Sequence, residues 1–359
     1  MIEPRAHVRR VHRDGERDAT RAGYVRLDRN ERVACLPERV RAEMFESMAP
    51  DALTAYPDAT PLYERLTAHL GIRQDQLIVT QGSDAAIRRI FETFVDPGDT
   101  VLQAEPSYAM FRVYTALYQA RAAIVEYAPD RTLSVEQLLT KLAERPRLFL
   151  LANPDQPTGT ALSPEALRRL AREARKYDVV MVIDEAYYPF HPASALEWRA
   201  EFDNLIVTRS FSKSGGIAGL RLGYLVGSVG MIDWIERTRS AFDVNAMAIA
   251  AGCWLLDHPD VERDYMAAIE AGRAQLRVAA LRLGIECPPC ECNFQLLRFP
   301  IGTNLRAIVQ GLRDEGFLIK GPFDGPALRD SLRVSLAGPD IITAFASAMH
   351  RVIERLSQP

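Results

Sequence analysis

Between Leu77 and Gly227, short apolar runs alternate with stretches in which apolar residues recur every three or four positions. Leu77–Thr80, Thr100–Gln103, Ala123–Tyr127, Leu148–Ala152, Val179–Ile183, Leu205–Thr208 and Leu222–Val226 read as strands. Runs such as Val179-Val180-Met181-Val182-Ile183 show no polar alternation, which is the pattern of strands covered on both faces. Between them, Pro164–Tyr177 sets Ala166, Leu167, Leu170, Ala171 and Ala174 on one helical face, and Ser163-Pro164 forms a cap and first-turn proline. The alternation predicts an α/β fold whose large domain holds a mainly parallel seven-stranded sheet covered by helices.

Beyond about Ala241 the pattern changes. Helical periodicity runs through Ala246–Leu256 and Val261–Leu283, followed by a strand at Asn293–Phe299 and a helix at Thr303–Glu315. A strand at Leu332–Leu336 and a closing helix at Pro339–Leu356 complete a smaller α+β domain built from both chain ends. The expected division is an N-terminal arm and part of the small domain over 1–45, a large domain over 46–245, and a small C-terminal domain over 246–359. The arm mixes Arg5, Arg9 and Arg10 with Glu3, Asp14, Glu16 and Asp18.

Composition narrows the function. The 359 residues suit roughly two domains at ~150 each. A net charge of −3 gives no field that favours nucleic acid or anionic lipid. The longest apolar run, Ala246–Leu256, falls far short of the ~20 residues that cross a bilayer. No apolar stretch follows the first arginines, and five cysteines is an odd number, so reduced thiols in the cytoplasm are expected. Only four of the 44 basic residues are lysines: Lys141, Lys176, Lys213 and Lys320. Any chemistry that needs a primary amine therefore has four candidates.

Four segments sit at predicted strand ends, where open α/β sheets bind ligands. Gly82-Ser83-Asp84 opens a helix whose backbone N–H groups suit an anion, although many such turns bind nothing. Asn153-Pro154-Asp155-Gln156-Pro157-Thr158-Gly159 is a rigid turn that points amide side chains, and by itself reads equally as a stiff loop. Asp184 ends the most apolar strand, where a carboxylate needs a cationic partner; that partner is an arginine, a metal or a ligand. Ser210-Phe211-Ser212-Lys213, with Arg221 eight residues on, joins hydroxyls and an arginine for a phosphate to an amine for an aldehyde. Cys287, Cys290 and Cys292 lack a second ligand pair, so they read as ordinary thiols and no metal is expected.

These segments, in this order, resemble the fold-type I aminotransferases that use pyridoxal 5′-phosphate, with the histidinol-phosphate aminotransferase family nearest. The resemblance runs from Leu27-Asp28-Arg29-Asn30-Glu31 to Leu332-Arg333-Val334-Ser335. It implies that Lys213 forms a Schiff base with the cofactor and carries the proton of the reaction. Asp184 would face the pyridine nitrogen, Tyr187 and Gln156 the ring oxygen, and Tyr108 the ring. Ser83, Asp84 (through its backbone), Ser210, Ser212 and Arg221 would hold the phosphate. Tyr56 would reach the phosphate of a neighbouring subunit, which implies a homodimer. Arg333 would clamp the substrate carboxylate, with Asn30 and Lys320 also on the substrate side.

Two departures stand out. Gln156 occupies the place of the family's usual asparagine, and Lys320 that of an arginine that contacts the substrate phosphate. Lysine still binds phosphate as a point charge, and Lys320 also reads as an exposed strand-end residue. The activity implied is transfer of an amino group from an amino acid donor to a small oxo compound, with a phosphorylated substrate left open. The alternative is a decarboxylase or other lyase of a phosphorylated amino acid on the same scaffold. An inactive ligand-binding relative does not suit so complete a set of residues. A nucleotide-binding protein would need a Gly-x-Gly-x-x-Gly turn that is absent.

Overall fold

The computed structural model describes residues 2–11 and 21–357; Asp14, Glu16 and Asp18 of the charged arm lie outside the described residues. In chain order the strands are β1 Val25–Arg26, β2 Leu77–Thr80, β3 Thr100–Glu105, β4 Arg121–Glu126, β5 Leu148–Ala152, β6 Val180–Asp184, β7 Leu205–Ser210, β8 Gly223–Val226, β9 Phe294–Arg298, β10 Phe317–Leu318 and β11 Ser331–Ser335. The α-helices are α1 Glu38–Glu46, α2 Thr60–Leu70, α3 Gly82–Phe94, α4 Ala109–Leu117, α5 Val135–Leu142, α6 Pro164–Lys176, α7 Val229–Glu236, α8 Ala246–Asp257, α9 Pro259–Arg282, α10 Leu305–Asp314 and α11 Pro339–Ser357.

The seven-stranded sheet has the order β2-β8-β7-β6-β5-β3-β4. Strand β8 runs antiparallel to both its neighbours and every other pair is parallel. Successive residues of the central strands feed two different cores. Phe149, Leu151, Met181 and Ile183 pack on the face carrying α6, while Leu148, Leu150, Val180 and Val182 pack on the face carrying α3. Burial on both sides removes the polar alternation from these strands. Helix α6 turns Leu167, Leu170, Ala171 and Ala174 inward, and Ser163 Oγ accepts the Ala166 N–H at its start.

Two strands run further than their apolar runs do. Strand β6 ends on Asp184, which pairs with Thr208, and β7 ends on Ser210, which pairs with Gly223. Backbone pairing carries both polar residues to the sheet's edge, where the site lies. Gly223 is squeezed there. A Cβ on it would sit 2.6 Å from the Gly82 carbonyl carbon and 2.7 Å from the Arg209 oxygen.

A second hydrophobic cluster lies around the antiparallel pair β9–β11, packed with α9, α10 and α11. The N-terminal segment joins it: β1 pairs with β10, and Leu27 is fully buried inside. Helix α8 packs otherwise. Its Ala248, Ile249, Ala251, Trp254 and Leu255 belong to the large-sheet core, as does Val261, whereas Tyr265 onward belongs to the second cluster. The change of packing partner therefore falls inside α9 and not at residue 246.

Replacing Gly223 with alanine forces a methyl group into backbone atoms of two neighbouring segments. The expected cost is about 1–3 kcal/mol, read as a lower midpoint in urea denaturation.

Candidate active site

The carboxyl ends of β5, β6 and β7, with the turn after β2, enclose a cavity of about 140 Å³. Ser83, Asp84, Tyr108, Gln156, Asp184, Tyr187, Ser210, Ser212, Lys213 and Arg221 all line it. Of the cofactor-site residues named from sequence, Tyr56 alone stands elsewhere. It is 80% exposed and stacks on Phe242 with ring centroids 4.3 Å apart.

One end of the cavity is an anion cradle. Helix α3 starts there without any side-chain cap, so its first N–H groups remain available. Gly82 has φ +76°, and a Cβ on it would meet Arg221 Nη2 at 2.8 Å, so glycine lets the guanidinium cover the helix start. Arg221 Nη1 donates to Ser212 Oγ at 3.3 Å, and the Ser212 N–H donates to Ser210 Oγ at 3.1 Å. The Asp84 carboxylate accepts from Tyr108 and Tyr114 hydroxyls, both at 3.1 Å. That leaves the backbone of Asp84 as its contribution to the cradle.

The opposite end holds a carboxylate in want of a cation. Asp184 is 5% exposed, and its Oδ1 accepts the Thr208 hydroxyl at 2.7 Å. Burial raises its pKa to about 6, against the lowering effects of Thr208 and the Ala186 N–H. No cationic side chain bonds it among the described residues. A protonated ring nitrogen is the group such a site fits.

Lys213 lies between the two ends. Its Nζ donates to the Asn30 carbonyl at 3.0 Å and the Arg29 carbonyl at 3.3 Å. Desolvation lowers its pKa to about 8, and Arg333 adds to the effect. A lysine so placed gives up its proton near neutral pH, as a nucleophile or proton carrier must.

A second cavity, about 280 Å³, adjoins the first through Gln156. Arg21, Arg29, Arg313, Lys320 and Arg333 line it, with Asp28. Arg21 is bound to Asp28 and Glu31. Arg333 is buried, donates from Nη2 to the Asp28 carbonyl at 2.9 Å, and keeps Nε without a partner. Lys320 is exposed and also lines this cavity, so both readings of it describe the same residue. Its backbone forms an antiparallel bridge with Arg333, which fixes the two cations side by side.

Several supporting residues give no signal in the sequence. Asp155 lies 1% exposed under the Gln156 turn, held by Ser107 and by Thr158 at 2.9 Å, and burial raises its pKa to about 7. Glu185 pairs with Arg209 at 2.9 Å in the core beside the site. Cys290 and Cys292 pack with Tyr187 and Phe294 beneath it. Spacing alone assigns none of these, because each acts across chain distances that only folding closes.

A family model described as "Aminotransferase class I and II" matches residues 23–344. The chain belongs to this family. Among curated relatives of this aminotransferase, histidinol-phosphate aminotransferase 1 of Burkholderia lata is 35% identical over 326 residues, covering 89% of each chain. Histidinol-phosphate aminotransferase 1 of Carboxydothermus hydrogenoformans is 31% identical over 319 residues, covering 88% of this chain and 89% of its own. The solved structure of histidinol-phosphate aminotransferase from Sinorhizobium meliloti, in complex with pyridoxal-5′-phosphate, superposes with a TM-score of 0.85. It is 27% identical and covers 99% of this chain and 96% of that one. The protein is a pyridoxal-phosphate-dependent aminotransferase.

Asp184 also predicts a pH effect on the cofactor-free protein. Its folded pKa lies above the unfolded 3.8, so its stabilising contribution is present below that value and is lost as pH rises through about 6. The stability difference between wild type and Asp184→Asn should therefore shift by roughly 3 kcal/mol in favour of the variant between pH 3 and 7. Urea titrations of both cofactor-free proteins across that range check it; a flat difference contradicts the burial argument.

Proposed function

We propose that this aminotransferase moves the amino group of an amino acid donor to and from a small phosphorylated oxo compound, of the class named by its histidinol-phosphate relatives. The observation that carries the reading is the cation-lined outer cavity, where Lys320 and Arg333 are bridged beside the Lys213 site. Five cationic side chains against one carboxylate favour a ligand with more than one negative group.

When bound, pyridoxal phosphate supplies an aldehyde that condenses with amines and a ring that takes up charge from the substrate α-carbon. Lys213 is the amine that attaches it and afterwards carries the proton at the α-carbon, a task suited to a pKa near 8. Asp184 would keep the ring nitrogen protonated, Tyr187 and Gln156 would serve the ring oxygen, and Tyr108 would face the ring. Ser83, Ser210, Ser212, Arg221 and the backbone of Asp84 hold the phosphate. The free edge of Arg333 takes the substrate carboxylate in bidentate fashion, Asn30 lies on the same side, and Lys320 takes the distal phosphate. By holding the carboxylate near the plane of the ring, Arg333 would leave the C–H bond as the one to break.

The homodimer belongs to the same proposal. Tyr56 is absent from its own chain's cavity and presents an exposed aromatic pair with Phe242, which suits a residue serving a second copy. We also place the division between large and small domains within α9, supported by the change of core partner there. A cytoplasmic location is favoured by five unpaired thiols, and no helix of the described residues is long and apolar enough to cross a membrane.

Lys213→Ala should abolish turnover, and full activity in that variant overturns the site assignment. Lys320→Ala should raise KM for phosphorylated amines by about tenfold while sparing unphosphorylated donors; an equal effect on both removes its phosphate role. Mixed dimers of Tyr56→Ala and Lys213→Ala subunits should regain activity that neither pure variant has, because one of their two sites is intact. No recovery on mixing counts against a shared site.

A further inference from the structure

Asn30 and Gln156 belong to one hydrogen-bond network anchored on Ser335. The Asn30 N–H donates to Ser335 Oγ at 2.7 Å, and the Ser335 hydroxyl donates to Asn30 Oδ1 at 3.2 Å. Asn30 Nδ2 therefore faces the other way, donating to Gln156 Oε1 at 3.0 Å and to Tyr187 Oη at 2.9 Å. Tyr187 Oη also donates to this Gln156 oxygen. Two donors converge on Oε1, which leaves the Gln156 amide only one orientation. Its Nε2 then carries two protons and meets no acceptor among the described residues. Gln156 is also the one described residue that lines both the inner and the outer cavity.

Asn30 is itself held without freedom. It is fully buried with φ +56°, and its carbonyl accepts from both Lys213 Nζ and Asn293 Nδ2 at 3.0 Å. Both its amide protons and its side-chain oxygen have protein partners. This residue has nothing left with which to bind a substrate directly. It acts through Gln156.

We infer that Asn30 is a positioning residue that locks the Gln156 carboxamide with Nε2 presented to the inner cavity, as the donor for the ring oxygen of the bound cofactor. The inference rests on the assignment of the inner cavity to pyridoxal phosphate.

The test is fluorescence titration of the cofactor-free protein with pyridoxal phosphate. Gln156→Leu removes the donor, and a hydrogen bond to an ionised oxygen is worth about tenfold or more in Kd. Asn30→Ala should weaken binding by a similar factor, and the double variant by no more than the larger single loss. The isosteric Asn30→Asp, chosen to preserve packing, should weaken it at least as much, since the new carboxylate attracts Nε2 and turns Oε1 to the cavity. In each weakened variant the pH midpoint of the holoenzyme's visible band should shift, which a purely structural role would not produce. A cofactor analogue lacking the ring hydroxyl should bind all of these proteins alike. Losses that multiply in the double variant, or unchanged binding in Asn30→Asp, overturn the inference. Failure of the cavity assignment itself would look different: Lys213→Ala and Arg221→Ala would then bind the cofactor as tightly as wild type.

Discussion

The structure is organised around a buried carboxylate that the protein itself does not neutralise. Asp184 stands at the end of a strand packed on both faces, with a hydroxyl and a backbone N–H for partners and its pKa pushed up to about 6. Lys213, in the same cavity, is pushed down to about 8. Both shifts record a cost of desolvation, and the continuous apolar packing of the sheet has to carry it. On the proposed assignment, a cofactor with a cationic ring nitrogen and an aldehyde would relieve both groups at once. Its binding therefore stabilises the fold as well as equipping it for catalysis.

Asn30 ties that site to the second hydrophobic cluster. It lies between Leu27, buried in that cluster, and Glu31, which bonds Arg21 at the outer cavity. Its bonds reach Ser335 at the end of β11, Asn293 before β9, and Gln156, Tyr187 and Lys213 in the cofactor cavity. A residue so saturated joins the N-terminal segment and the small sheet to the amide and amine of the cavity. The chain ends are thereby part of the active site and not an appendage to it.

The scarcity of lysine sharpens the division of labour among the basic residues. Lys141 and Lys176 make exposed helix pairs with Glu144 and Glu173, a role arginine fills equally well elsewhere on the surface. Lys213 is different, because only a primary amine with an adjustable pKa condenses with an aldehyde. Lys320 sits among arginines at the outer cavity.

Much of this was legible in the chain itself. Unalternating apolar runs marked the strands of the large sheet, since burial on two faces leaves no room for polar positions. Residues placed within a few positions of strand ends, such as Ser83, Asp184, Ser210 and Lys213, were legible because a parallel sheet brings its carboxyl ends together. The ends of β6 and β7 were read short, because polarity hides backbone pairing that continues through Asp184 and Ser210. The bonds of Asp155, Thr208, Asn293 and Ser335 were not legible, since each reaches a partner far off in sequence. The core that receives helix α8 was not legible for a related reason: periodicity shows that a helix has an apolar face, not which core receives it. The sequence by itself determined the strands of the large sheet and the family, through local patterns of burial and chemistry. Tertiary structure alone decided the Asn30–Gln156–Tyr187 network and the pairing of Lys320 with Arg333. Those depend on atoms meeting across distant segments.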